Sequence, residues 1–222
     1  MNRLTEDELQ KMMEASICYI HSEEIPNIDL YMDQVTTFMD RHLDGCKREE
    51  DDKLLTKTMI NNYAKSRLLP PPEKKKYTRE HMILLLTIYY LKNIMSINDI
   101  QTLVAPLTQN YFNGSSAPDL CMISDRIMEQ SEKLFPDLKD DIMDKWRRAC
   151  DLFSSEEDPD EFLSRYALIM LLSYDVCIRQ RMIEQIIDEM TAGRKDDLLA
   201  AKEAEKEAKQ AAKAAKKNAS KE

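Results

Sequence analysis

The chain has 222 residues, a formal net charge of −9, 43% hydrophobic and 33% charged residues. That much apolar material excludes global disorder. Only three residues are glycine, against a usual ~7%, which argues against an all-β fold and against a glycine-rich phosphate loop.

In chain order, residues 5–21 read as a helix. Thr5 and Glu8 fit a capping box, and Leu9, Met12, Met13, Ser16, Ile17 and Ile20 recur at helical spacing. Ile25-Pro26-Asn27 breaks the pattern, and residues 29–43 resume it with Leu30, Val35, Phe38 and Met39. A charged loop, 44–52, follows. Residues 54–67 form a third helix whose two halves differ: Leu55, Met59, Ile60, Tyr63 and Ala64 on one side, Lys57, Thr58, Asn61, Asn62 and Lys65 on the other. Pro70-Pro71-Pro72 stops it, and a short basic segment, Lys74-Lys75-Lys76, closes on Tyr77. Thr78 caps a helix through residue 92 that is apolar nearly all round and therefore expected to be buried, with His81 satisfying its own turn. Ser96 and Asp99 open a helix to about residue 107, and a loop spans 113–118.

Three further helices are predicted, over 119–135, 136–153 and 159–190, the last opened by an Asp158 cap and Pro159 at its first position. It carries a stripe of Phe162, Tyr166, Ile169, Met170, Ser173, Val176, Cys177, Ile183, Ile186, Ile187 and Met190, ended by Gly193. Beyond residue 200 the chain is Ala, Lys and Glu, too small and polar to build a core, and is expected to be a solvated helix or disordered. The predicted organisation is an N-terminal helix (1–28), a domain over 29–108, a helical dimerisation or effector region over 109–193, and the tail 194–222.

The apolar run 81–91 is far shorter than the ~20 residues that cross a bilayer, and the acidic start has no signal-peptide pattern. Five cysteines are scattered without metal-ligand spacing. A cytoplasmic protein with reduced thiols, no membrane contact and no cofactor is expected. Charge is uneven: residues 1–52 carry net −9, 53–92 net +7, 93–193 net −10 and 194–222 net +3. One basic block in an acidic chain is a candidate footprint for a polyanion, or a solvated face that answers the acidic segments.

The order of these elements is that of a winged helix-turn-helix. Met59-Ile60-Asn61-Asn62-Tyr63-Ala64-Lys65-Ser66-Arg67-Leu68-Leu69-Pro70-Pro71 resembles the recognition helix of the MerR family. Tyr77-Thr78-Arg79-Glu80 is similar to the end of that family's wing, and Ser96-Ile97-Asn98-Asp99-Ile100 to the helix start beyond it. Together with Ile28 to Val35 and Lys75-Lys76-Tyr77, the closest resemblance is to an uncharacterised bacterial family described as MerR-like. It covers about 25–108. The family's arginine and first tyrosine are Asn61 and Asn62 here, so phosphate clamping by that arginine is not implied. The glycine before Leu-Leu is Arg67, so the helix is expected to end without its left-handed glycine. Metal sensing is not implied either.

The expected fold is all-α: a winged helix-turn-helix with a short basic wing, plus a C-terminal helical domain. The expected function is a DNA-binding transcriptional regulator on double-stranded DNA, a homodimer through 159–190, with no effector identified. Asparagine can pair bidentately with adenine, so Asn61 or Asn62 reads bases beside Thr58. Lys57, Lys65, Arg67, Lys74, Lys75, Lys76, Tyr77 and Arg79 complete the contacts, the lysines on phosphates. The alternative is a helical adaptor that keeps the fold but reads a protein. With no nucleophile motif, metal cluster or phosphate loop, no enzyme is expected.

Overall fold

The structure, a computed structural model, describes residues 4–17, 19–49, 52, 54–114, 117–154 and 162–219, with side chains up to residue 192. It is all-α in character: α1 (Glu6–Ala15), α2 (Met32–His42), α3 (Lys57–Lys65), α4 (Arg79–Leu91), α5 (Ile97–Asn110), α6 (Leu120–Leu152) and α7 (Phe162–Ala219). Two short strands, β1 (Leu30–Tyr31) and β2 (Lys76–Tyr77), pair antiparallel with Leu30 opposite Tyr77 and Tyr31 opposite Lys76. No described helix is long and apolar enough to cross a membrane. The chain divides into two compact units, Met1–Gln180 and Arg181–Glu222.

The first unit contains two cores. The larger is built round α4, whose Met82, Leu84, Leu85 and Ile88 have no exposed surface. Val35 and Met39 of α2, Ile60 of α3, Leu69, Ile100 of α5 and Leu120 of α6 close over it. The smaller joins Leu9 and Met13 of α1, Met143, Trp146 and Ala149 of α6, and Ala167 and Leu168 of α7. The N-terminal helix is thus part of a three-helix core rather than a separate piece, and α6 serves both cores.

This division explains where sequence periodicity misleads. The helical pattern predicted over 5–21 is cut at Ala15 because Leu9 and Met13 belong to the smaller core while Ile20 belongs to the larger. The chain leaves the helix to cross between them and is pinned by a single 3-10 turn, Ser22–Glu24. The Ser22 N–H and hydroxyl donate to Asp125 at 2.8 and 2.5 Å, and His21 Nε2 meets Glu132 at 2.7 Å, both acceptors on α6.

The break predicted at residue 136 is absent: α6 runs through Pro136. That proline is exposed, so the Glu132 carbonyl it strands can turn to water while Phe135 and Ile142 still pack on the smaller core. Pro106, half-buried, also sits inside a helix, α5. Gly193 does not end α7, whose backbone continues to Ala219. One helical glycine costs only ~1 kcal/mol against alanine, too little to stop a strong Ala/Lys/Glu pattern. The predicted Asp158 cap and Pro159 lie outside the described residues. So does Cys18. Cys46 is disulfide-bonded, whereas reduced thiols were expected, and Cys121, Cys150 and Cys177 are thiols outside any disulfide. Sequence spacing cannot show that folding lays the Asp44–Cys46 turn beside Ser16, with Gly45 approaching the Ala15 carbonyl.

Two histidines titrate in opposite senses. Glu132 raises the pKa of His21, so the folded state holds that proton more tightly than the unfolded chain. His81 is 3% exposed; its Nδ1 accepts from the Thr78 N–H at 3.0 Å, and burial lowers its pKa despite the nearby Pro70 and Pro71 carbonyls. The His21 contribution is complete below its unfolded pKa of ~6.5 and is lost as pH rises through the raised value. The His81 contribution runs the other way, lost as pH falls from ~6.5 through the lowered value. Chemical denaturation from pH 5 to 9 should therefore show stability declining on both sides of neutrality. His21→Gln should flatten the alkaline decline and leave the acid one. Separately, Ile60→Ala, at a site with no exposed surface, should cost ~2–5 kcal/mol in the same measurement.

Candidate nucleic-acid interface

Thr56 starts α3: its hydroxyl accepts from the Met59 N–H at 3.2 Å, while Leu54 and Leu55, predicted as helical, are buried ahead of it in non-helical chain. The buried side of α3 is Ile60 and Tyr63. Lys57, Thr58, Asn61, Asn62 and Lys65 are all exposed, and at 100° per residue they fall within an arc of about 140°. One face of the helix therefore offers three donor-rich polar groups between two lysines.

The end of α3 departs from expectation in an informative way. Arg67 itself takes the left-handed conformation, φ 61°, in place of a glycine. The Leu68 N–H reaches the Tyr63 carbonyl at 2.9 Å and the Arg67 N–H reaches Ala64 at 3.2 Å, a Schellman closure. Leu68 and Leu69 are buried and hold that turn in place. Gln101 Nε2 donates to the Ser66 carbonyl at 3.3 Å and braces the same end from α5.

After the prolines the chain makes a tight turn, Glu73 to Lys76, closed by the Lys76 N–H on the Glu73 carbonyl at 2.8 Å. Lys74 and Lys75, its two central residues, both have positive φ, 48° and 63°. That is the type I′ geometry, which normally takes Asn-Gly. Two lysines there put strain and positive charge at the same exposed tip.

The turn and the start of α3 meet at one segment. Lys76 Nζ lies 5.6 Å from the centre of the Tyr31 ring, which is 54% exposed. Two residues on, Asp33 at the start of α2 forms an ion pair with Lys57 at the start of α3. Lysines from the turn and from α3 therefore flank Tyr31 to Asp33. Neither Tyr31 nor Asp33 was singled out from sequence; the signal available was an aromatic and a carboxylate bracketing the N-terminus of the helix before α3.

Two sequence candidates do not belong to this surface. Tyr77 is 3% exposed, pairs with Leu30 and packs edge-on against His81, with its phenol pKa raised by burial. Arg79 is part-buried, and its Nη2 donates to the Ile25 carbonyl at 3.1 Å, tying the start of α4 to the crossing segment. Lys92, counted in the basic block, donates to the Leu54 carbonyl at 2.9 Å and lies over the Tyr89 ring, where burial lowers its pKa. The exposed set is Lys57, Thr58, Asn61, Asn62, Lys65, Arg67, Lys74 and Lys75, with Lys76 half-buried at its edge.

Residues 20–127 match a family model described as Domain of unknown function (DUF1836). No curated protein and no solved structure matches the chain. The matched segment begins at Ile20, the first residue of the larger core, and ends on α6 just beyond Leu120, the last. The family model thus spans the larger core with its exposed α3 face, while α1, α7 and most of α6 lie outside it.

The strained turn yields a test that separates fold from function. Lys74→Asn with Lys75→Gly should raise stability by ~1–2 kcal/mol, since Asn and Gly tolerate the left-handed region. The same double substitution should reduce retention on heparin. Denaturant titration and salt elution read the two effects.

Proposed function

We propose that residues 29–108 form a winged helix-turn-helix of MerR-like type that binds double-stranded DNA, with α3 in the major groove and the 73–77 turn as a short wing on the backbone. The observation that carries this is the juxtaposition at Tyr31 to Asp33, which puts the polar face of α3 and a lysine-tipped turn side by side. A major groove admits one helix, and its base edges need donors and acceptors at i, i+3, i+4 spacing. Asn61, Lys65, Thr58 and Asn62 supply them. The lysines, paired with phosphates, give affinity without sequence information. Lys57 must exchange its Asp33 partner for a phosphate, so it contributes less than a free lysine. Regulation of transcription is the use that a sequence-reading domain of this kind serves.

Binding should depend steeply on salt. With about five phosphate contacts per protomer, log affinity should fall against log salt with a slope of about −4 to −5. Charge reversal at Lys74 and Lys75 should weaken every sequence alike. Asn61→Ala or Asn62→Ala should instead alter preference among sequences selected from a random pool, costing ~1–3 kcal/mol at one base pair. Fluorescence anisotropy with labelled duplexes measures both. Absence of binding at low salt overturns this reading and favours the adaptor.

A further inference from the structure

The disulfide of Cys46 stands where the two cores touch. Cys46 ends the 3-10 turn that follows α2, and its half-buried side chain packs on the larger core. Against the same turn lies the end of α1, whose Leu9 and Met13 belong to the smaller core. A Cβ on Gly45 would come within 3.9 Å of the Ala15 carbonyl oxygen. Cys121, Cys150 and Cys177 are outside any disulfide, so the count of five cysteines leaves Cys18 as the second sulfur. The bond therefore joins the chain just after α1 to the chain just after α2.

This disulfide is within reach of a small molecule. Cys46 lines a surface cavity of ≈450 Å³ with Ser16, Lys47, Arg48, Tyr89, Tyr90 and Asn93. The charge there favours an anion. Asp44 is taken by Lys47 at 2.7 Å, and Asp52 accepts the N–H groups of Arg48 and Glu49 at 3.2 and 3.1 Å. The Arg48 guanidinium has no ion-pair partner among the described residues. Lys92, over the Tyr89 ring, donates to a carbonyl, that of Leu54, and has no carboxylate partner among them either.

We infer that Cys46 is a thiol–disulfide exchange site for a small thiol bearing carboxylates, and that exchange opens a clasp between α1 and the larger core. A thiolate RS⁻ bonds to the Cys46 sulfur while the bond from that sulfur to Cys18 breaks. Cys18 leaves as a thiolate and takes a proton from water. A second RS⁻ bonds to the R-group sulfur of the mixed disulfide, releasing RSSR and the Cys46 thiolate. Two thiols are thus oxidised and one protein disulfide reduced. Arg48 and Lys92 gather the anionic thiol beside Cys46, and they favour Cys46 as the thiolate that leaves in the second step. None of this rests on the DNA reading.

The test uses the full chain, oxidised in air, its accessible thiols capped with iodoacetamide. Peptide mapping by mass spectrometry should find Cys18 linked to Cys46; a protein without that link overturns the site. Mercaptosuccinate and cysteamine, an anionic and a cationic thiol, are then added at pH 8. Each rate is divided by the rate of the same thiol on a small uncharged disulfide. Mercaptosuccinate should exceed cysteamine roughly tenfold at low salt, a factor of about three for each sign of charge. The ratio should fall toward one in 1 M salt and fall by about half its logarithm in Arg48→Ala. The mercaptosuccinate adduct should map to Cys46. A ratio of one or less at low salt, or an adduct on Cys18, overturns the site. Hydrogen exchange reads the clasp: reduction should speed exchange of the α1 amides about tenfold or more and leave those of α4 unchanged. Cys46→Ser should exchange like the reduced protein; if it does not fold, reduced wild type carries the comparison alone. Equal exchange of α1 in both redox states, or equal acceleration of α1 and α4, overturns the clasp.

Discussion

A helix apolar on every side has to be enclosed, and the enclosure of α4 governs the larger core. Burying its Met82, Leu84, Leu85 and Ile88 completely requires neighbours on all sides. α2, α3, α5 and the start of α6 are those neighbours. Because Thr78 caps α4 directly after β2, the same burial fixes where the 73–77 turn leaves the core. Strand pairing with Leu30 and Tyr31 then sets the turn against the start of α2. The polar face of α3 is outward for the simplest of reasons: its other face is Ile60 and Tyr63, and the core takes those.

α6 links this arrangement to the second core. Leu120 sits in the larger core and Trp146 in the smaller, ~39 Å apart along the helix at 1.5 Å per residue. The crossing segment between α1 and β1 is fastened to the N-terminal half of that rod by Asp125 and Glu132. Ile20 and Ile25 of the same segment are buried in the larger core, so these polar contacts add a second attachment, to α6, to the apolar one. The His21 contact is a partly exposed ion pair, so its contribution to stability is small. Its role is positional.

Much of the fold is legible in the sequence because its punctuation is local. Thr5 with Glu8, Thr78 and Ser96 each announce a helix start that the structure keeps, and the uniform apolarity of 81–91 announces a buried helix. What is not legible is which core claims a given apolar residue. That assignment cuts the first helical pattern at Ala15, and it draws Leu54 and Leu55 out of α3. Breaker residues mislead for the converse reason: Pro136 and Gly193 are tolerated where the flanking helix outweighs them. At the candidate site, the α3 face was visible as a split wheel, whereas the burial of Tyr77 and the backbone bond of Arg79 were not. Both depend on residues some fifty positions upstream, Leu30 and Ile25.

Trp146 is the only tryptophan in the chain, and it lies 4% exposed in the smaller core, among α1, α6 and α7. The protein is therefore optically lopsided. Excited at the red edge, it emits from one locus, and that locus lies in a different core from the α3 face. A ligand settling on the lysines of the turn leaves the indole in its apolar surroundings, so intrinsic emission stays silent through such a titration. Loosening of α1 or α7 from α6 admits water to the ring and shifts the emission to longer wavelength. One natural chromophore thus distinguishes events in the two cores without a label.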